Sequence, residues 1–174
     1  MPVTLILGGA RSGKSRRAEA VAETLGLPVI YLATAPRIES DSEWSERIEH
    51  HQEHRSSEWE TIEEELLLVD VMREKAAEGT TLFVDCLTLW LSNLLFHGKD
   101  MDQEVGKLCA LLPELPGHVI LVSNEVGMGL VPENPEGRAF RDAQGRLNQA
   151  VAAVVENVEF VAAGLPMRLK GDCR

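Results

Sequence analysis

Apolar residues gather along this chain in short blocks. Val3-Thr-Leu-Ile-Leu7, Val29-Ile-Tyr-Leu-Ala33, Thr80-Thr-Leu-Phe-Val-Asp85 and His118-Val-Ile-Leu-Val-Ser123 are dominated by aliphatic and β-branched side chains. Blocks of that length without apolar–polar alternation predict strands buried on both faces. Between them the pattern changes to helical spacing. Lys14 to Leu25 predicts a helix stopped by Gly26 and Pro28. Further helices are expected from about Asp41 to His54, over Glu63 to Ala77, Leu87 to Phe96 and Met101 to Leu112, and for about five turns from Pro135 to near Asn157. Glu159 to Ala163 and Met167 to Lys170 read as two last strands around a Gly164-Leu-Pro166 turn. Alternating strands and helices predict an α/β fold, a largely parallel central sheet with helices on both faces, in one domain over residues 1–174.

Composition narrows the partners. Seventeen basic residues stand against 28 acidic ones, a formal charge of −11. Such a surface repels polyanions, which argues against nucleic acid or an anionic membrane as partner. Phosphate binding then needs a local concentration of N–H donors and cations. Cys86, Cys109 and Cys173 have no metal-ligand spacing, and their odd number does not suit a disulfide framework, so a reducing cytoplasm is expected. No stretch has the length and apolarity of a membrane span or leader.

Gly8-Gly9-Ala10-Arg11-Ser12-Gly13-Lys14-Ser15 supplies that local site. It has the spacing of a P-loop, with a strand before it and a helix after it. Glycines let the backbone turn its N–H groups around a β-phosphate, and the helix N-terminus adds a positive dipole end. Lys14 is positioned to bridge β- and γ-phosphate oxygens, and Ser15 to offer its hydroxyl to Mg²⁺. Asp85 closes the third apolar block, where a carboxylate at a strand's carboxyl end holds Mg²⁺, caps the following helix, or both. Nothing in these motifs chooses among kinases, GTPases and ATPases, although the Asn-Lys-x-Asp guanine-reading motif is absent.

Arg47-Ile-Glu-His-His-Gln-Glu-His54 holds three of the five histidines. On a helix, Trp44, Ile48, His51 and Arg55 share one stripe, while Arg47, His50 and His54 share the next. The aromatic and aliphatic stripe turns His51 inward. A neutral imidazole is a competent nucleophile at phosphorus, giving a labile phosphoramidate. His50 and His54 have i,i+4 spacing suited to zinc, with no third ligand evident. From these residues alone, a solvated helix face of mixed charge is the simpler reading.

Taken in order, several further segments change that balance. They are the Gly8–Ser15 loop, Tyr31-Leu-Ala-Thr34, Arg47-Ile-x-x-His51-x-x-x-Arg55-x-x-x-Trp59, Asp85-Cys-Leu-Thr-Leu-Trp-Leu-Ser-Asn-Leu95, Ser123-Asn-Glu-Val-Gly-Met-Gly-Leu-Val-Pro-Glu-Asn134 and Phe140-Arg-Asp-x-x-Gly-Arg-Leu-Asn-Gln149. Over nearly its whole length the chain resembles the bifunctional adenosylcobinamide kinase / adenosylcobinamide-phosphate guanylyltransferase family of cobalamin biosynthesis. The resemblance implies a RecA-like P-loop NTPase fold, Mg²⁺, ATP or GTP as phosphate donor, adenosylcobinamide as acceptor, and a homotrimer. It implies a second reaction in which GTP guanylylates a histidine that passes GMP on, yielding adenosylcobinamide-GDP. Carried onto this chain, the nucleotide site comprises Gly8, Gly9, Ala10, Arg11, Ser12, Gly13, Lys14 and Ser15, then Ala33, Thr34 and Ala35. Gln52, Glu53 and His54 join it, with Glu63 and Asp85 as further contacts. The guanylylated residue is His50 or His51; the Arg-Ile-x-x-His-x-x-x-Arg spacing and the inward stripe favour His51. Two departures bear on loop rigidity and metal reach: Ser56 stands where many relatives have Pro, and Asp85 where some have Glu. A monofunctional P-loop kinase without the guanylyltransferase step is the competing reading.

The Ser123–Asn134 segment follows the carboxyl end of a strand, where α/β sheets bind ligands. Gly127 and Gly129 there permit unusual dihedrals, and Asn124 and Glu125 offer polar contacts. Corrinoid or phosphate contact and subunit packing are equally open for this loop. Arg138, Arg141 and Arg146 begin the long helix, facing either phosphates or solvent.

Overall fold

A computed structural model describes residues 2–36 and 58–171; elements are numbered among these. The chain runs through β1 (Val3–Gly8), α1 (Lys14–Leu25), β2 (Val29–Ala33), β3 (Glu60–Glu63), α2 (Leu68–Lys75), β4 (Thr81–Asp85), α3 (Leu87–Phe96), α4 (Met101–Leu111), a short 3₁₀ turn (Leu112–Glu114), β5 (His118–Asn124), α5 (Pro135–Val154), β6 (Asn157–Ala162) and β7 (Leu165–Lys170). All seven strands join one sheet in the order β3-β2-β4-β5-β1-β6-β7. Every pairing is parallel except that of β6 with β7. The helices cover both faces, giving the three layers expected.

Strand periodicity divides the core in two. Leu5, Leu7, Leu32, Leu82, Val84, Val119 and Leu121 face one side, where α2, α3, α4 and α5 add Met72, Trp90, Leu108 and Leu147. Ile6, Tyr31, Phe83, Ile120 and Val122 face the other side, against Ala18 and Ala22 of α1. The small alanines bring α1 close to the sheet and its phosphate loop close to the strand ends.

One prediction needs correction. The helix expected over Glu63–Ala77 is present but shorter, as α2 (Leu68–Lys75), and Glu63 instead closes an unexpected edge strand. Glu60-Thr-Ile-Glu63 pairs parallel to β2. Glu64 then accepts the backbone N–H groups of Leu66 and Leu67, at 2.8 and 2.7 Å, so helical bonding starts only beyond them. The final hairpin is also tighter than expected: β7 already begins at Leu165, and Pro166 sits within it, which an edge strand tolerates. α5 ends at Val154 rather than near Asn157. The helix expected over Asp41–His54 lies outside the described residues. Among the described residues, no helix is long and apolar enough to cross a membrane.

Candidate active site

The Gly8–Ser15 loop joins β1 to α1 at the carboxyl edge of the sheet. Gly13 caps α1 at φ +92°, a left-handed conformation costly for any residue with a Cβ. The Ser12 N–H donates to Gly9 O (3.2 Å), and Ser12 O accepts from the Gly164 N–H (2.8 Å), so the β6–β7 turn braces the loop from outside. Two glycines are required by close approach. A Cβ at Gly8 would meet Val161 O at 2.7 Å, and one at Gly13 would meet Gly164 Cα at 3.1 Å. Lys14 Nζ donates to Gly9 O at 3.3 Å. Burial holds the Lys14 ammonium below its usual range, while Cys86 and Asp85 at the end of β4 act in the opposite direction. Ser15 follows in the first turn of α1. Two residues further, Arg17 is bound by both carboxylate oxygens of Glu159 on β6, at 2.7 and 2.9 Å, which ties α1 to the sheet.

Asp85 shares its sheet face with Phe83, and so lies on the α1 side. Its Oδ2 accepts from the Tyr31 hydroxyl at 2.7 Å. The N-cap of α3 is Cys86, whose side chain makes no capping bond. Burial, reinforced by the charge of Asp85, pushes the Cys86 thiol up to about 12, so it stays protonated at neutral pH. Ala33 closes β2 and pairs in register with both Asp85 and Glu63, so these three share the strand-end level. Thr34 is fully buried. Its Oγ1 donates to Cys86 O (2.7 Å) and accepts from the Cys86 N–H (2.9 Å), and Asn93 Nδ2 donates to its carbonyl at 2.8 Å. Ala35 follows, half-buried. His50, His51, Gln52, Glu53 and His54 lie outside the described residues.

The Ser123–Asn134 loop leaves β5 beside the phosphate loop: the Glu125 N–H donates to Gly8 O at 3.0 Å. Neither Gly127 nor Gly129 takes a positive φ. Instead the Glu125 carboxylate folds back onto the Gly127 and Met128 N–H groups at 2.6 and 3.0 Å. The helix arginines are engaged within the chain. Arg138 donates to the carbonyls of Pro132 and Glu133, Arg141 pairs with Asp142, and Arg146 lies 3.7 Å from Asp102. Sequence reasoning gave no role to Tyr31, Thr88, Gln144 and Asn148, which hold this edge together. Polarity within an apolar element was a signal for Tyr31 and Thr88, whereas Gln144 and Asn148 sit on a helix rich in polar residues, and all four find their partners only once the strand order is known.

A parallel sheet carrying a glycine loop between its first strand and first helix, with an acidic residue ending a strand two places away, defines a P-loop NTPase. Solved structures share the architecture. A protein of Pyrococcus horikoshii OT3 matches with a TM-score of 0.57 at 9% identity, over 99% of this chain and 87% of that one. The type III secretion ATPase EscN of enteropathogenic E. coli matches with a TM-score of 0.53 at 10% identity, over 93% and 43%. Sequence places the chain within the class. Residues 4–169 match the model of the CobU family, cobinamide kinase / cobinamide phosphate guanyltransferase. The chain is 50% identical to the bifunctional adenosylcobalamin biosynthesis protein CobP of Pseudomonas aeruginosa over 170 residues, 97% of each chain. It is 38% identical to the bifunctional adenosylcobalamin biosynthesis protein CobU of Escherichia coli K12 over 181 residues, 95% of this chain and 98% of that one. The chain belongs to the CobU family.

Proposed function

We propose that this protein performs both reactions of its family on one nucleotide-binding edge. The observation that carries the reading is the convergence of the phosphate loop, Lys14 and Asp85 on one side of the sheet, in a chain that matches the family almost end to end. In the kinase step, the aminopropanol hydroxyl oxygen of adenosylcobinamide bonds to the γ-phosphorus of ATP or GTP. The bond from that phosphorus to the β,γ-bridging oxygen breaks, its electron pair leaves with the nucleoside diphosphate, and the hydroxyl proton passes to water. Residues Gly8 to Ser15 cradle the phosphates, and Lys14 neutralises charge developing on them. In the second step, a neutral imidazole nitrogen of His51 bonds to the α-phosphorus of GTP as pyrophosphate leaves. A phosphate oxygen of the first product then attacks the same phosphorus and frees the histidine. Ala33, Thr34, Ala35, Gln52, Glu53, His54 and Glu63 flank the nucleotide in this reading, Thr34 by shaping the strand end, because its hydroxyl, N–H and carbonyl are all committed within the chain.

The Ser15 hydroxyl and the Asp85 carboxylate are hard oxygen donors, which suits Mg²⁺ completing its shell with water and phosphate. Among the described residues no cluster of three or more His, Cys, Asp or Glu forms a protein-only metal cage, and a Mg²⁺ shared with nucleotide needs none. Held by Ser15 and Asp85, such an ion would neutralise phosphate charge during transfer. The edge strand β7 exposes Leu165, Met167 and Leu169 at alternate positions, an apolar row that supports self-association; the trimer itself rests on the family resemblance. Light scattering on the purified protein tests that state. Dependence on nucleoside triphosphate fits a cytoplasmic enzyme.

The decisive test is incubation with α-labelled GTP, which should leave acid-labile, alkali-stable label on the protein. His51→Ala should abolish labelling and His50→Ala retain it; the reverse result moves the nucleophile to His50. Transfer of γ-phosphate to adenosylcobinamide without any protein adduct would establish the monofunctional kinase instead.

A further inference from the structure

Strand β5 lies between the strand that carries the phosphate loop and the strand that ends in Asp85. Gly8 pairs opposite its last residue, Asn124, and Asp85 pairs opposite Val122. Ile120 and Val122 face α1, so strand alternation turns Asn124 to that same side, between the loop and Asp85. Ser123 turns the other way, to Asn148 and Gln144 of α5, at 2.7 and 2.9 Å.

The backbone around Asn124 is pinned. Its N–H donates to Thr88 Oγ1 (2.8 Å), its carbonyl accepts from Asn148 Nδ2 (3.0 Å), and the next N–H reaches Gly8 O. The carboxamide is uncommitted. Oδ1 is buried without a hydrogen-bond partner, and among the described residues no acceptor pairs with Nδ2. A fixed backbone presenting an unpaired amide is destabilising by itself, and here it stands at the rim of a phosphate cradle. The guanidinium of Arg17 is already taken by Glu159, so it adds nothing to Lys14 and the unpaired Ser12 hydroxyl in meeting a phosphate.

We propose that Asn124 binds the terminal phosphate of the nucleotide, with Nδ2 donating to a phosphate oxygen on the Asp85 side of the loop. The contact makes the site prefer a triphosphate over a diphosphate, and Asn148 acts as the positioning residue that holds Asn124 in place. This inference rests on the kinase reading for its role in transfer, but not for its role in binding. The loop amides and helix N-terminus serve the β-phosphate, which both nucleotides possess; Asn124 serves the group that only one possesses.

Calorimetric titration of the full chain with GDP and with the β,γ-imido analogue of GTP tests it. Asn124→Ala should weaken the analogue about tenfold and GDP less than about twofold, the size of one lost charge-assisted hydrogen bond. The kcat for γ-phosphate transfer to adenosylcobinamide should fall about a hundredfold, with its KM unchanged. Asn124→Asp keeps the shape but sets a carboxylate against phosphate, and should weaken the analogue more than alanine does. Asn148→Leu should act in the same direction, less strongly. Unchanged affinities, or equal losses for both nucleotides, overturn the proposal, the second by showing a purely structural residue. Should the alanine variant fail to fold, the isosteric Asn124→Asp decides by the same ratio. Absence of γ-phosphate transfer in the parent protein would refute the kinase reading and leave the binding ratio to judge Asn124.

Discussion

Two knots of buried polar side chains hold the carboxyl edge of this sheet, and they are built differently. At the ends of β2 and β4, Thr34 bonds both the N–H and the carbonyl of Cys86, and Asn93 ties Thr34 O to Glu65 O. None of its buried side-chain atoms is left without a partner. At the end of β5, Gln144 donates to Ser123 Oγ and Asn148 Oδ1, and Asn148 reaches Asn124 O. Here Gln144 Oε1 and Asn124 Oδ1 are buried and unpaired, and Ser12 Oγ in the adjoining phosphate loop is unpaired as well. A closed network rigidifies the backbone and ends there. An open one, kept at a cost in stability, leaves groups uncommitted beside the phosphate loop; the donors among them are Asn124 Nδ2 and Ser12 Oγ, since the two amide oxygens can only accept. The first knot therefore belongs to the fold, and the second to the function.

The sharpest way to break that contrast is Thr34→Val. The side chain keeps its shape but orphans two buried backbone groups of Cys86. A loss of about 3 kcal/mol is expected, with a fall in Tm of about 10 °C, measured by denaturant and thermal unfolding. A change below about 1 kcal/mol would show that the closed knot is not structural.

A smaller effect is expected at Glu159, which joins the phosphate loop's helix to β6. Hydrogen bonding by Arg17 holds its carboxyl below the usual carboxylate range, with Arg168 adding to the effect. A lowered folded-state pKa stabilises above the unfolded value, about 4.3, and that stabilisation is lost as pH falls through the lower folded value. Because Arg17 remains about a third exposed, Glu159→Gln should cost about 1–2 kcal/mol at pH 7, less than a fully buried pair. The gap between parent and variant should hold from pH 7 to about pH 5 and narrow below about pH 4. A gap that widens in acid would contradict the assignment.

How far these knots could be read from sequence depends on the reach of each signal. The inner strands were legible because β1, β2, β4 and β5 are covered on both faces and hence apolar without interruption. The phosphate loop was legible because its pattern is contiguous in sequence: a Cβ at Gly8 would clash with backbone, and Gly13 takes a left-handed conformation that favours glycine. β3 was not legible. Glu60-Thr-Ile-Glu63 is a polar edge strand with only Ile62 turned to the core, and its acids merge with those before α2 into a false helical run. The bond from Tyr31 to Asp85 and that from Asn148 to Asn124 join residues 54 and 24 positions apart. Only the strand order brings them together.

The finest test of the comparison is Gln144→Leu in the open knot. The change removes two donated hydrogen bonds but also a buried acceptor that had no partner, and it fills much the same volume with an apolar side chain. These terms oppose one another, so stability should stay within about 1 kcal/mol of the parent. Asn148 would lose a donor to its Oδ1, and its hold on Asn124 O would loosen. The preference for the imido-GTP analogue over GDP should then fall about threefold while GDP affinity holds, an effect of roughly 0.6 kcal/mol. Calorimetry and thermal unfolding of one variant thus read the two knots against each other. If Gln144→Leu destabilises as much as Thr34→Val and leaves nucleotide preference untouched, the open knot is structural too, and its unpaired atoms do not mark a ligand.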